Sequence, residues 1–279
     1  MARREYHYFI SGLPDLSFNE PGEWITPGSF KKILKEQLHP DDYRQAELVF
    51  LKEDHSHLIS FLENGEMTAE GNGNYSADDY RNQISLFSSI LPAADILPAY
   101  MVNVLRDHGP EDKEKDSLQI ARMLTDGYYL HVMENGIPFL RKYTAFDYDL
   151  NNLLAFVKAG DHGLAQERFI AGDSGFSGHL RRYAGKSLPK DPGFELFDEI
   201  MSYTGSQSFA EEEIKFDRLR WRIIEELILF EDFSIEKILG YLLQMLILKR
   251  WSSLNKESGK AKLREILDRS KKEAFKGFE

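Results

Sequence analysis

The stretch "PFLRKYTAFDYDLNNLLAFVKA", Pro138 to Ala159, decides the fold class. Its apolar residues fall at Phe139, Tyr143, Phe146, Leu150, Leu153, Leu154 and Val157, in steps of three and four that put them on one stripe of an α-helix. Pro138 suits the first helical position, where its missing N–H costs nothing, and Gly160 closes the run. Six turns of helix span about 30 Å at 1.5 Å per residue. A single element of that length needs other long helices to cover its stripe.

The flanks supply them. Upstream, the spacing predicts a helix from about Leu118 to Glu134, which Asn135-Gly136 can end with a left-handed residue. A charged linker, "DHGPEDKEKD" (Asp107 to Asp116), precedes it. Downstream, periodicity disappears between residues 160 and 190, where glycines recur at 160, 163, 172, 175, 178 and 185; a loop or hinge is expected there. Asp191 and Pro192 then open a helix through Tyr203. Another, from Phe209 to Phe230, carries the stripe Phe216, Leu219, Ile223, Leu227 and Phe230, and Ser234 can cap a last one running to Trp251. That last helix is apolar nearly all round, which predicts the deepest burial of any element. The end, "KAKLREILDRSKKEAFKGFE", is charged with a narrow seam at Leu263, Ile266 and Leu267 and reads as a surface helix.

Nearer the N-terminus, Thr26 and Pro27 begin a short helix with Phe30, Ile33, Leu34 and Leu38 on one face. Ser76 and Asp79 form a capping-box pattern before Tyr80, Ile84, Phe87 and Leu91, and Pro92 stops that run. Strand candidates are confined to "EYHYFI" near the start and "ELVFL", Glu47 to Leu51, which reads equally well as helix. The fold class is therefore mainly α, with helices arranged in antiparallel hairpins. The 279 residues form a single helical domain, or two subdomains, 1–160 and 191–279, joined by the glycine-rich segment 160–190.

Composition excludes several function classes. There is no cysteine, which removes disulfides, thiolate metal sites and thiol nucleophiles together and points to a reducing, cytoplasmic compartment. The 46 acidic against 35 basic residues give a formal charge of −11, a mean field that repels nucleic acid and anionic lipid. "MARREYHYFISGLPDL" meets Glu5, His7 and Pro14 before any useful apolar run and does not read as a signal peptide. "ILGYLLQMLIL", Ile238 to Leu248, is shorter than the roughly 20 residues a membrane span requires.

The chemical motifs are individually weak. "GDSG", around Ser174, matches the nucleophile string of trypsin-like proteases, but those enzymes need two β-barrels, and Phe176 breaks the Gly-x-Ser-x-Gly elbow of α/β hydrolases. "AGKS", Ala184 to Ser187, has the tail of a P-loop without its first glycine, since Leu180 stands there. "DHSH", Asp54 to His57, hints at a metal, yet on a helix His55 and His57 would point about 200° apart. Surface histidines are the plainer expectation. Asp147, Asp149, Asn151 and Asn152 are placed on the polar side of the long helix, solvated or pairing with another helix; carboxylates two residues apart do not face each other as an acid and base pair would. Glu211, Glu212 and Glu213 read as a favourable acidic first turn. Asn74 begins a glycosylation sequon that matters only if the chain is exported, and Trp24 sits in irregular sequence, where it either anchors an interface or folds onto its own core. No catalytic, cofactor-binding or metal-binding residue and no cofactor is assigned.

Three longer stretches carry a resemblance. "EYHYFISGLPDLSF" (Glu5 to Phe18), "FDYDLNNLLAFVKAGDHG" (Phe146 to Gly163) and "RWRIIEELILFEDFSIEKILGYLLQMLILKRW" (Arg220 to Trp251) are similar to bacterial domain-of-unknown-function family 2764. Members of that family are encoded among the components of V-type ATPases, at the place where the axle-seating component designated C, or d, would be expected. The run from Asp149 to Leu153, with Lys158 and Gly160 after it, also resembles a helix pattern of that axle-seating component itself. The resemblance implies an all-helical funnel, whole or reduced, that seats the central axle on the membrane proteolipid ring. The implied partners are the V-type ATPase central-stalk components and the proteolipid ring, the implied location is the cytoplasmic side of the inner membrane, reached through the complex, and the implied role in ion transport is non-catalytic. A helical adaptor unrelated to rotary ATPases is the alternative, and a hydrolase using Ser174 or the Asp147/Asp149 pair a third.

Overall fold

The structure, a computed structural model, describes residues 4–18, 25–66, 72–89, 94–108, 117–172, 175–186, 188–189, 193–205 and 209–254. Among them there are eleven α-helices, one short 3₁₀ turn and no strand. In chain order the helices are α1 (His7–Ser11), α2 (Pro27–Gln37), α3 (Pro40–Asn64), α4 (Ala77–Phe87), α5 (Ala99–Asp107), α6 (Ser117–Asn135), α7 (Pro138–Asp161), α8 (Gly175–Arg182), α9 (Phe197–Tyr203), α10 (Phe209–Leu227) and α11 (Ile235–Leu254). The fold is mainly α.

The capping chemistry works largely as the sequence predicts. Thr26 Oγ1 accepts from the Ser29 amide at 3.2 Å, and Ser76 and Asp79 close a reciprocal capping box at α4. Gly65, at φ 72°, ends α3 in the left-handed conformation. Gly136 does not take that conformation after α6; a Cβ there would lie 2.6 Å from the Val132 carbonyl oxygen, so glycine is needed for closeness instead. Both strand candidates are helical. "EYHYFI" contributes to α1, and "ELVFL" lies inside α3, where Leu48, Val49, Phe50 and Leu51 are all buried.

The segment expected to be a loop carries the 3₁₀ turn at Gln166–Arg168 and the eight-residue α8. Tertiary bonds substitute there for periodicity. The Arg181 guanidinium donates to the carbonyls of Gly172 (2.9 Å), Glu167 (3.1 Å) and Ile170 (2.6 Å), fastening the preceding strip of backbone onto α8. The helix expected from Asp191 begins at Phe197, and residues 191–192 lie outside the described residues. α4 ends at Phe87, and α10 stops at Leu227, before the turn that holds Phe230. The charged linker from 109 to 116, Trp24 and the seam at Leu263, Ile266 and Leu267 also lie outside the described residues.

Two apolar clusters form the core. The larger joins α2 to α6, the first half of α7, the second half of α10 and nearly all of α11. The smaller joins Leu150, Leu153, Leu154 and Phe156 of α7 to Ile170, Leu180, Ile200, and Phe216 and Leu219 of α10. Helices α7 and α10 thus run through both clusters, and Phe146 and Ile223 pack against both. α6 packs on α7, and α10 on α11, as consecutive helices joined by short turns. As its composition predicts, α11 buries residues on every side, among them Ile238, Leu239, Leu242 and Met245. No helix among the described residues is long and apolar enough to cross a membrane.

Candidate functional site

Asp147 sits three to four residues from Tyr143 and Leu150, on the apolar stripe of α7 and not on its polar side. Only 3% of it is exposed. A carboxylate carried that deep must be matched by charge and hydrogen bonds; two neighbouring helices supply cations and a third a hydroxyl. Arg220 of α10 donates from Nε to Oδ1 at 2.8 Å; Lys52 of α3 and the Tyr129 hydroxyl of α6 reach Oδ2 at 2.9 and 2.7 Å. The Arg220 fork continues to Asn151 Oδ1 (2.8 Å) and Asp217 (2.9 Å), while Asn151 donates back to the Tyr129 hydroxyl at 2.7 Å. Arg250 of α11 lies 2.8 Å from the other Asp217 oxygen and 2.6 Å from Glu213, which Lys158 also approaches at 3.4 Å. Charged groups from α3, α7, α10 and α11, with a phenol from α6, meet at one crossing, beside a cleft of about 460 Å³ whose apolar wall includes Val49, Leu243 and Ile247.

The electrostatics fix the protonation states. Burial alone would raise the Asp147 carboxyl, but the Lys52 and Arg220 charges and their hydrogen bonds outweigh it and hold the acid far below the usual carboxylate range. Burial likewise opposes the Lys52 ammonium, and Asp147 with the surrounding phenols raises it well above an ordinary lysine. Tyr129 and Tyr143 are pushed up chiefly by burial. Near neutral pH these groups neither take nor give a proton. Asp147, Lys52 and Arg220 thus form a clamp whose charges hold one another, while burial raises the Asp217 carboxyl beside them.

The other polar residues of the same run disperse. The Tyr148 hydroxyl donates to Asp126 at 2.5 Å. Asn152 exchanges two hydrogen bonds with the backbone of Ala171 (2.7 and 3.2 Å), pinning the glycine-rich strip to α7. Next to it, Gly172 sits at φ 73°, and a Cβ there would lie 2.2 Å from the Tyr148 hydroxyl, so this position requires glycine on both counts. Asp149, raised by burial to about 6, shares no partner with Asp147.

The remaining motifs resolve into structure. Ser174 and Asp173 lie outside the described residues. Gly185 of "AGKS" donates its N–H to Gln166 Oε1 at 2.7 Å, using the turn to bind the chain's own loop. The "DHSH" histidines are not surface residues. His57 is buried, and His55 packs edge-on against Tyr100 and Tyr128 with its Nε2 2.9 Å from the Tyr100 hydroxyl; burial lowers it to about 3. Asp54, fully buried, accepts from the amides of Asn74 (2.7 Å) and Tyr75 (3.0 Å). The Asn74 side-chain nitrogen is itself committed to the Glu47 carbonyl (2.9 Å) and Asp54 (3.0 Å), so a glycan there would break the clamp that holds this turn. No group of three or more His, Asp or Glu suited to a metal occurs among the described residues. Glu211 and Glu212 do begin α10, while Glu213 joins the ion-pair network.

Sequence reasoning missed Lys52, Tyr129 and Arg220 as members of one site. The available signal was charge on an apolar stripe: Arg220 interrupts Phe216, Leu219 and Ile223 as Asp147 interrupts Tyr143 and Leu150. These features define a mainly α protein whose long helices are indexed to one another by a buried ionic crossing. The family described as "Protein of unknown function (DUF2764)" matches the chain over residues 1–274, and the chain belongs to that family. Comparison with curated proteins gives no match.

Proposed function

We propose that this protein is a non-catalytic component of a V-type rotary ATPase, resembling its axle-seating funnel, that couples the central axle to the membrane proteolipid ring in ion transport. The observation that carries the reading is the pair of long helices α7 and α10, common to both cores and cross-linked by Asp147 and Arg220. A part that transmits torque must resist bending and sliding, and close-packed helices joined by buried polar contacts do both. The fixed protonation of the clamp fits a mechanical role better than a chemical one. In this reading the protein lies on the cytoplasmic side of the inner membrane and is held there by its partners.

Affinity isolation of the tagged chain from membranes in mild detergent tests the proposal. Recovery together with proteolipid and the rotary catalytic subunits is the expected result. Recovery with helical partners but without either of those would make the chain an adaptor instead.

A further inference from the structure

The turn between α10 and α11 exposes residues that a lone globular protein ordinarily covers. Phe230 is 87% exposed and Leu229 66%, and Phe233 beside them is also exposed. The N-terminal segment extends the patch. The Tyr6 amide donates to the Phe233 carbonyl at 2.7 Å, the His7 ring lies tilted against the Phe233 ring with centroids 4.1 Å apart, and Tyr8 is 98% exposed. A groove of about 510 Å³ continues inward from Leu229 between Ile10, Leu13 and Leu16 on one wall and Ile228 and Tyr241 on the other. Exposed aromatics beside a groove with both apolar and charged walls are the usual composition of an interface centre.

The rim is predominantly acidic. From Glu225 to Glu236 the chain carries Glu225, Glu226, Glu231, Asp232 and Glu236 with no basic residue, and Glu5 and Asp15 add to it from the N-terminal side. Lys237 is the one basic residue lining the groove among the described residues. We propose that this hairpin tip, with α1 and residues 13–16, is a docking surface for an amphipathic helix of a partner protein, one whose apolar face is flanked by Lys and Arg. The chemistry selects this occupant. A second copy would bring one acidic rim against another, and an anionic leaflet would be repelled by the rim and by a net charge of −11. The chain's own segment 255–279 also carries Lys and Arg beside Leu263, Ile266 and Leu267; it starts at the far end of α11, about 30 Å away for 20 residues at 1.5 Å each, and is the rival occupant that the test separates. Apolar side chains in the groove supply affinity, and the rim sets partner choice and association rate. The inference goes beyond the rotary reading and holds for any assembly.

Fluorescence anisotropy of the full chain with a labelled 18-residue Leu/Lys amphipathic peptide, and with a Leu/Glu peptide of identical apolar face, is the test. Saturable binding of the Leu/Lys peptide alone is expected, weakened at least tenfold by Phe230→Ser and by Glu225→Lys with Asp232→Lys. Leu130→Ser, at a remote exposed position on α6, should leave it unchanged. Circular dichroism checks that each variant is folded. Equal affinity of the wild type and Phe230→Ser, or equal binding of the Leu/Glu peptide, overturns the proposal. It is also overturned if Leu263→Ser with Leu267→Ser tightens binding tenfold, which would make residues 255–279 the occupant. The remaining contrary results are a dimer, or co-sedimentation with phosphatidylglycerol vesicles, that Phe230→Ser abolishes.

Discussion

Two acids two residues apart on α7 show how far environment separates identical chemistry. Asp147 is held ionised by Lys52 and Arg220, and its removal leaves the buried Arg220 guanidinium short of its main counter-charge, while half-exposed Lys52 keeps water. Asp147→Asn should therefore lower stability at pH 7 by about 3 to 5 kcal/mol, read from the urea midpoint. Its folded carboxyl lies below the unfolded value of about 3.9, so the stabilisation is complete above that value and fades as pH falls beneath it. The gap between wild type and Asp147→Asn should narrow below about pH 4. Asp149 has the opposite sign. Burial raises it to about 6, so its ionised form is disfavoured in the folded state, and folding is weakened as pH rises from the unfolded value through that point. Asp149→Asn should raise the melting temperature at pH 7.5 and change it little at pH 4; a decrease at pH 7.5 would contradict this assignment. In the sequence the two residues look alike. What separates them is a partner 73 positions away, which no local pattern reveals.

Among the elements, α2, α6, α7 and α10 were legible because each has one apolar stripe bounded by proline, glycine or a capping residue, and α11 because its long apolar run follows a capping serine. α3 was hidden by its own burial. It carries apolar residues together with buried Asp54 and His57 on several faces, which blurs the 3.6-residue rhythm. α8 was hidden by glycine and serine, and depends on Arg181 and Asn152 for its place. Close approach between elements left a fainter trace. Gly127 of α6 faces α5, and a Cβ there would come within 2.6 Å of the Tyr100 side chain. Alanine is the better helix former by about 0.5 to 1 kcal/mol. The overlap should outweigh that gain, so Gly127→Ala is expected to lose about 1 to 3 kcal/mol net, by denaturant titration. A neutral or stabilising result would mean that α5 and α6 can separate without loss.

At the scale of the molecule, the clusters are tied through α7 and α10, so they should not unfold separately. Urea titrations followed by far-ultraviolet circular dichroism and by tryptophan fluorescence should superimpose on one transition. Phe146→Ala, which removes a ring packed against both clusters, should shift that transition by about 2 to 4 kcal/mol without splitting it. Two resolved transitions would show that the clusters are independent. Greasy ridges alone allow neighbouring settings of one helix on another, spaced about a turn, or 5.4 Å, apart. Arg220 disfavours them: its planar fork meets Asp147 and Asn151 of α7 at only one notch, and every other notch gives up both contacts, leaving it only Asp217 of its own helix. A push on the end of α10 therefore arrives at α7 without backlash, as it does through a keyed shaft.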